Sequence, residues 1–461
     1  MRGVPTRKVL PGGGRGWGSS SRGAMQRCKA VYLDYNATTP IYQEVAEEMM
    51  PFLDSFGNPS SSHAFGRPCR DAVVLARSRV ANLVNARPEE IFFTSCGTES
   101  DNWAISSSVK LRGRCGGDQI MPHVVTSNIE HPAVIECLRA LEADGLASYT
   151  EVPVGADGIV SVEAVEAAMR DETVLVTVMH SNNEIGSIQP IAELSALAHS
   201  RGLIDSPTND SSLTPFPPPP SPSLTSLSLS LSLSLSGALM HTDAAQSIGK
   251  VEVDVCSLSV DLLTIVGHKF GAPKGVAALF ISDRVKSFPS FFHGGGQEGG
   301  RRAGTENVLL IAGLGKAAEV SKELLRDGWM REHAAEMRAR LLDGIRARLP
   351  DGSQVKINGP EDEANRLPNT LSLSIPGVSA NQVLSDLSEE VAASAGAACH
   401  SGGATMSAVL GAIGLTQEEA MGTLRLSTGR YTTKEDVERA ADLIVKRAVA
   451  SSGSLNGSLS Q

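Results

Sequence analysis

From residue 42 onward the apolar positions of the chain follow two alternating periods. Residues 44–56 and 67–85 carry them three and four apart, the spacing of an amphipathic helix, and residues 90–94 (EIFFT) form a short apolar run suited to a buried strand. Residues 123–127 (HVVTS), 148–154 and 173–179 predict further strands, with helical stretches at 133–143 and 162–169 between them. A helix at 190–201, a strand at 238–242 and two apolar strands at 262–266 and 275–281, flanking GHKFGAPK, continue the series. Strands that alternate with helices predict an α/β fold with a mostly parallel sheet covered on both faces.

Beyond residue 304 the pattern changes. One long helical stretch covers 309–349, residues 370–375 read as a strand, a Gly/Ala/Ser-rich loop surrounds Cys399, and a helix closes the chain at 434–449, ahead of a polar tail at 451–461 expected to fray. This predicts a smaller α+β domain built from residues 30–45 and 305–450, beside a large domain spanning 46–304.

Two segments stand outside the pattern. Residues 1–29 hold seven Lys/Arg and no acid, a flexible arm that reads either as an organellar transit peptide or as an over-extended start, since Met25 opens MQRCKAVYLDYN close to the first patterned segment. Residues 205–237 read DSPTNDSSLTPFPPPPSPSLTSLSLSLSLSLSG, a Pro run followed by strict Ser/Leu alternation. This insert sits where a loop of about 2–6 residues would suffice. A CT dinucleotide repeat encodes alternating Ser and Leu, so the insert resembles a translated polypyrimidine tract and is read as a retained intron.

The 461 residues are 41% apolar with a formal net charge of −10, which describes an ordinary folded protein and a poor binder of nucleic-acid phosphates. No run of about 18 apolar residues predicts a membrane span. The seven cysteines include no CxxC pair, so no metal site is expected. An odd count without a secretory signal predicts free thiols in the cytoplasm, or in the mitochondrion if the arm is a transit peptide.

Several polar residues interrupt the apolar runs at strand ends. Lys269, in LLTIVGHKFGAPKG, is either a lysine whose neutral amine is favoured by burial, as a Schiff-base lysine requires, or one that snorkels into water. Asp243 ends a strand, where ligands of open α/β sheets sit, and could pair with a protonated pyridine nitrogen or simply cap AAQSIG. Residues 96–100 (CGTES) form an anion-binding helix start or a plain capping turn. His131, in NIEHPAV, could stack on a planar cofactor or be an ordinary loop histidine. Cys399, in ASAGAACHSGG, is an accessible thiol or an inert packed one, and Arg425 or Arg430 could fork onto a substrate carboxylate or remain a surface charge. A lysine, an aspartate, an anion site and a histidine at strand ends of one sheet are the parts of a pyridoxal 5′-phosphate (PLP) site.

The motifs DYNATTP, TSCGTESDN, EHPAV, SNNEIG, HTDAAQ, GHKFGAPKG, GGGQEGGRRAGTEN, GAACHS and LRLSTGR occur in the order seen in the class V aminotransferase-like cysteine desulfurases and selenocysteine lyases, which this chain resembles from about residue 31 to 449 except for the insert. The resemblance implies the aspartate aminotransferase-like fold type I of PLP-dependent transferases, with a seven-stranded type of sheet. It implies that Lys269 bonds PLP and moves the Cα proton, Asp243 pairs with the pyridine nitrogen, Gln246 bonds the ring hydroxyl and His131 stacks on the ring. Thr98 and His268 hold the phosphate together with Thr305 of a partner subunit, so a homodimer is expected. Asn183 and Arg425 bind the substrate carboxylate, and Cys399 takes the chalcogen.

DYNATTP, TIVGHKF and GAACHS look most similar to selenocysteine lyase. The activity this implies is decomposition of L-selenocysteine to alanine and selenide through a perselenide on Cys399, with selenium passed to an acceptor protein. Two alternatives stand beside it: a cysteine desulfurase that forms a persulfide for iron–sulfur clusters or tRNA thiolation, and an inactive scaffold with the same fold. Val266 stands where many desulfurases place a serine hydroxyl for the phosphate.

Overall fold

Strands covered on both faces draw apolar runs, and six strands buried along their whole length share one sheet here. The computed structural model describes residues 30–113, 121–201, 237–285, 287–350, 355–400 and 403–458. Its large sheet contains β1 (Ile91–Thr94), β2 (His123–Ser127), β3 (Ser148–Val152), β4 (Thr173–Thr177), β5 (Leu239–Asp243), β6 (Leu262–Val266) and β7 (Ala277–Ile281), in the order β1-β7-β6-β5-β4-β2-β3. β7 runs antiparallel to both its neighbours and the other pairs are parallel. β1 therefore points the same way as β6, and the segments leaving β1, β2, β4, β5 and β6 all emerge at one edge.

Alternate side chains along each strand enter two cores. Phe92, Val124, Leu175, Leu239 and Leu262 pack with α2 (Gly97–Gly113) and α3 (Pro132–Ala143), through Trp103, Ile105, Val134 and Leu138. Their neighbours Phe93, Val125, Val176, Met240 and Leu263 pack on the other face with α1 (Gly66–Val84), α4 (Ile191–Ser200) and α5 (Val308–Arg326). Each fully buried aliphatic side chain contributes about 1.5–3 kcal/mol.

A second, antiparallel sheet joins β8 (Lys356–Ile357), β9 (Thr370–Ser374), β10 (Ser394–Ala395) and β13 (Thr423–Ser427) in the order β10-β13-β9-β8. It is covered by α6 (Trp329–Arg348) and α7 (Lys434–Ser458), with Leu371, Leu373, Leu424 and Leu426 meeting Leu341, Ile345, Val437 and Ile444. The segment before α1 links the two cores: Val31 and Leu33 belong to the second, Tyr42 and Val45 to the first.

Three expectations change. The helix expected over 309–349 is two helices, because Gly328 adopts φ +74° between them and they serve different cores; α5, read with the small domain, packs Ile311, Leu314 and Ala317 against the large sheet. The segment around Cys399 is not a loop but a hairpin of β11 (Ala397–His400) and β12 (Gly403–Met406), with Cys399 opposite Ala404. The tail does not leave the helix at 451, since α7 continues to Ser458.

The arm lies outside the described residues, as does the insert apart from Gly237. Across the insert, however, the flanking backbone closes on itself: Ala238 N–H donates to Ala198 O at 2.8 Å and to Arg201 O at 3.0 Å. Among the described residues no helix is long and apolar enough to cross a membrane.

Candidate active site

Three strands deliver the titratable groups. β6 ends at Val266, and a single tight turn then places Lys269, whose Nζ donates to Asn36 O at 2.7 Å and Ala37 O at 2.9 Å. Burial lowers its pKa to about 8; the Arg425 charge acts in the same direction, and Asp243 and Asp34 oppose it. β5 ends at Asp243, which is buried and accepts from Ala245 N–H at 2.9 Å. Burial raises the Asp243 pKa, offset in part by His131 and Lys269. β2 leads to His131, which caps α3 by accepting from Ala133 N–H at 3.1 Å and whose pKa burial lowers. Each lies at or just past the carboxyl end of a parallel strand, which brings Lys269, Asp243 and His131 to a common sheet edge.

β1 leads into α2, whose first-turn N–H groups lack acceptors within the helix. Thr98 lies in that turn and, with His131, Asn102, Ser106, Glu136 and Cys137, lines a cavity of about 490 Å3 between α2 and α3. A Cβ at Gly97 would lie 2.7 Å from Val266 Cγ2, so the valine side chain presses directly on the helix start. Glu99 in the same turn pairs with Arg302 at 2.8 Å, and Glu298 pairs with Arg77 at 2.6 Å, pinning the Gly-rich segment 294–307 against the large sheet. Thr305 on that segment is exposed and lines a surface hollow with Phe291 and Phe292. His268 Nδ1 lies 3.2 Å from Thr38 Oγ1, and burial lowers its pKa to about 4.

The second sheet supplies Arg425. Its Nη2 donates to Asp34 at 2.8 Å and Ser394 Oγ at 2.7 Å, its Nη1 reaches Asn183 O at 3.4 Å, and its Nε is buried without a partner. Arg430 instead pairs with Glu44 at 2.6 Å and lies over the Tyr42 ring, which removes it as the carboxylate fork. Cys399 follows Ser394 by five residues, so chain length alone keeps it within about 18 Å of the Arg425 partner. Its hairpin is tied down where β12 ends, as Ser407 Oγ donates to Glu184 at 2.6 Å.

Residues not singled out in the sequence complete the arrangement. Asn36 is a buried junction: its carbonyl receives Lys269 and Gln246, its Oδ1 receives Lys250 and Asn369, and its Nδ2 donates to Asn183 O and Thr370 Oγ1. Lys250 is buried and bonds Gln246 Oε1 at 2.8 Å. Glu130, adjacent to His131, accepts from Ser127 and Met179 N–H, and burial lifts its pKa to about 8. Asp101 is buried with Oδ1 unpartnered, 3.8 Å from His241 Nε2. Position in a motif flagged Asn36 (DYNATTP), and Lys250 stands four residues after Gln246, but nothing local distinguishes either.

This set fits PLP. A buried amine with a lowered pKa suits covalent attachment to an aldehyde, a buried carboxylate whose ionised form needs a cation suits a protonated pyridine nitrogen, a helix start suits a phosphate, and the unpartnered Arg425 Nε suits a carboxylate. No group of three or more His, Cys, Asp or Glu that could hold a metal occurs among the described residues.

The chain is 41% identical over 420 residues to a cysteine desulfurase IscS of Clostridium botulinum, covering 91% of this chain and 94% of that protein. It is 38% identical over 421 residues to the cysteine desulfurase IscS of Klebsiella pneumoniae, at 90% and 92% coverage. Among solved structures, a NifS-like protein superposes with TM-score 0.75 at 31% identity, covering 90% of this chain and 98% of that one. SspA in complex with cysteine gives 0.67 at 31%, covering 88% and 100%. The aminotransferase class-V family model matches residues 31–205 and 230–440, and so breaks only within the insert. With a doubly covered, mostly parallel sheet, a lysine, aspartate and histidine at its carboxyl edge, and a family match on both sides of the insert, this chain belongs to the aminotransferase class-V family, whose enzymes work with PLP.

Proposed function

We propose that the protein is a PLP-dependent cysteine desulfurase that moves the sulfur of L-cysteine onto Cys399 as a persulfide and releases L-alanine. The carrying observation is the convergence of Lys269, Asp243 and His131 at the carboxyl edge of one sheet, with an arginine whose buried Nε has no partner. The relatives' names, cysteine desulfurase IscS, favour sulfur over the selenium that the motifs first suggest.

PLP, when bound, withdraws electrons from the substrate Cα so that the Cβ–sulfur bond weakens. Lys269 holds it and shuttles the proton, since an amine of pKa about 8 both accepts and returns a proton near neutrality. Asp243 keeps the pyridine nitrogen protonated, Gln246 bonds the ring hydroxyl, and Thr98 and His268 meet the phosphate with Thr305 of a partner subunit. Arg425, aimed by Asp34 and Ser394, and Asn183 orient the substrate carboxylate. The Cys399 thiolate bonds the substrate sulfur as the Cβ–sulfur bond breaks; Cβ gains a proton, and the product is alanine. The persulfide then passes to a thiol of an acceptor protein, which regenerates Cys399. In this reading the large sheet and the helices on it, α5 included, hold the cofactor, and the second sheet with the hairpin beside it brings Arg425 and Cys399.

Val266, where a serine hydroxyl is absent, favours a second reading as a selenocysteine lyase. Alanine release from the two amino acids, with mass analysis of the Cys399 peptide, tests both. Efficient release from cysteine with one sulfur added to Cys399 is expected; release from selenocysteine alone overturns the proposal in favour of the second reading.

A further inference from the structure

Lys250 lies on the turn that follows β5, four residues after Gln246, with 3% of its surface exposed. Its Nζ is 2.8 Å from Gln246 Oε1 and 3.2 Å from Asn36 Oδ1. An amide carries an acceptor at one corner and donors at the other, so a donor placed against both oxygens decides which way both amides face. Gln246 must then turn its Nε2 away from Lys250, and it reaches Asn36 O at 2.9 Å with a second hydrogen to spare. Asn36, whose Oδ1 also accepts from Asn369 Nδ2 at 3.0 Å, turns its Nδ2 toward Thr370 Oγ1 at 2.8 Å and Asn183 O at 3.1 Å. The same Asn36 carbonyl that receives Gln246 also receives Lys269 Nζ at 2.7 Å.

Burying an amine is costly, and a methionine would fill the same space without that cost. Burial, with the positive charges of Lys269 and Arg425 acting in the same sense, holds the Lys250 pKa well below the usual lysine value. Losing the charge does not disturb the arrangement, because a neutral amine still has two N–H donors for the two oxygens. The feature that methionine could not supply is the pair of donors.

We propose that Lys250 is a positioning residue: by donating to the side-chain oxygens of Gln246 and, beside Asn369, of Asn36, it points the Gln246 amide nitrogen at the cofactor's ring hydroxyl. This rests on the assignment of Gln246 to the ring hydroxyl in the proposed function.

The test is a double-mutant cycle in the full-length holoenzyme with Lys250→Met and Gln246→Leu, read as the rate at which protein-bound PLP absorbance is lost in cofactor-free buffer. Each single variant is expected to release PLP up to about tenfold faster, the loss of one hydrogen bond, and the double variant no faster than either single one. A Lys250→Met rate equal to wild type while Gln246→Leu is fast, or a double variant with the product of the two effects, overturns the proposal alone. A Gln246→Leu rate equal to wild type overturns the assignment of Gln246 and the proposal with it. Lys250→Gln, which keeps a polar group in the pocket, guards against a Lys250→Met that fails to fold; it is expected to release PLP about threefold faster, as one shorter donor reaches one oxygen, and a wild-type rate overturns the proposal.

Discussion

The carboxylate of Asp34 holds Arg425 Nη2 at 2.8 Å, across 391 residues of chain, and leaves the arginine's buried Nε without a partner. The N-terminal segment therefore aims the guanidinium: Ser394 Oγ accepts from the same Nη2 at 2.7 Å, Asn183 O lies 3.4 Å from Nη1, and Nε is the donor left over. Arg425→Lys keeps the charge but cannot hold Asp34, Ser394 and a substrate carboxylate together. Loss of a hydrogen bond to a charged group is about 1.5–3 kcal/mol, so kcat/KM for cysteine should fall about 10- to 150-fold, mainly through KM, with the PLP absorbance intact. A kcat/KM within about twofold of wild type would remove Arg425 from substrate binding.

Lys269 sets a pH dependence that cofactor loading can read. Only the neutral amine attacks an aldehyde, and a pKa of about 8 makes about a tenth of it neutral at pH 7 and about nine tenths at pH 9. Reloading of the cofactor-free enzyme with PLP should accelerate about tenfold over that interval and then level off. The same depressed pKa costs stability below pH 8, where the buried amine is charged, and the cost is relieved as the pH rises toward the unfolded value of about 10.4, since the unfolded chain then binds the extra proton. Urea midpoints of the cofactor-free protein should rise between pH 8 and 10, and Lys269→Met should lessen that rise, with Lys250 supplying the remainder. A loading rate still climbing steeply at pH 10 would place the lysine in water.

Two alanine substitutions separate holding the cofactor from taking the sulfur. Lys269→Ala should lose the visible absorbance of covalently held PLP, and losing its proton shuttle alone should slow alanine release by about 10²–10⁴-fold. Cys399→Ala should keep that absorbance and yet release no alanine. Spectra and alanine assays on the same preparations decide it: full activity of Cys399→Ala would eliminate Cys399 as the sulfur acceptor.

What was legible in the sequence follows from how each residue is recognised. β5 and β6 were visible because strands covered on both faces are rich in apolar residues, and Asp243 and Lys269 stood out as the charged residues at or just past their ends. Asn36 and Lys250 did not, because their partners come from up to 334 residues away and no local pattern encodes such a junction. The hairpin carrying Cys399 was missed for the opposite reason: Ala397, Ala398 and Ala404 give no apolar contrast, so a period of two leaves no trace and only backbone pairing reveals it. The single helix over 309–349 was an overlooked stop signal, since Gly328 at φ +74° ends one helix while the apolar spacing resumes in the next.

The insert makes the strongest claim on the fold, because it separates α4 from β5, the strand that presents Asp243. The flanking residues nevertheless meet without it. Ala238 N–H bonds Arg201 O at 3.0 Å and Ala198 O at 2.8 Å, and Gly237 supplies the turn at φ +100°, where a Cβ would fall 2.5 Å from His199 O. The strand thus begins one hydrogen bond from where the helix ends, and the family model likewise stops at 205 and resumes at 230. Excision of residues 205–236 leaves Gly202, Leu203, Ile204 and Gly237 between Arg201 and Ala238, within the usual length of a helix-to-strand connection of about 2–6 residues. The shortened protein should bind PLP stoichiometrically and match or exceed the parent in thermal unfolding temperature, as closing a shorter loop costs less entropy. Gly237→Ala in the same background should destabilise it, because an alanine is strained at that φ and meets the helix carbonyl. Loss of PLP binding on excision would mean that the insert, and not the contact between Arg201 and Ala238, positions β5.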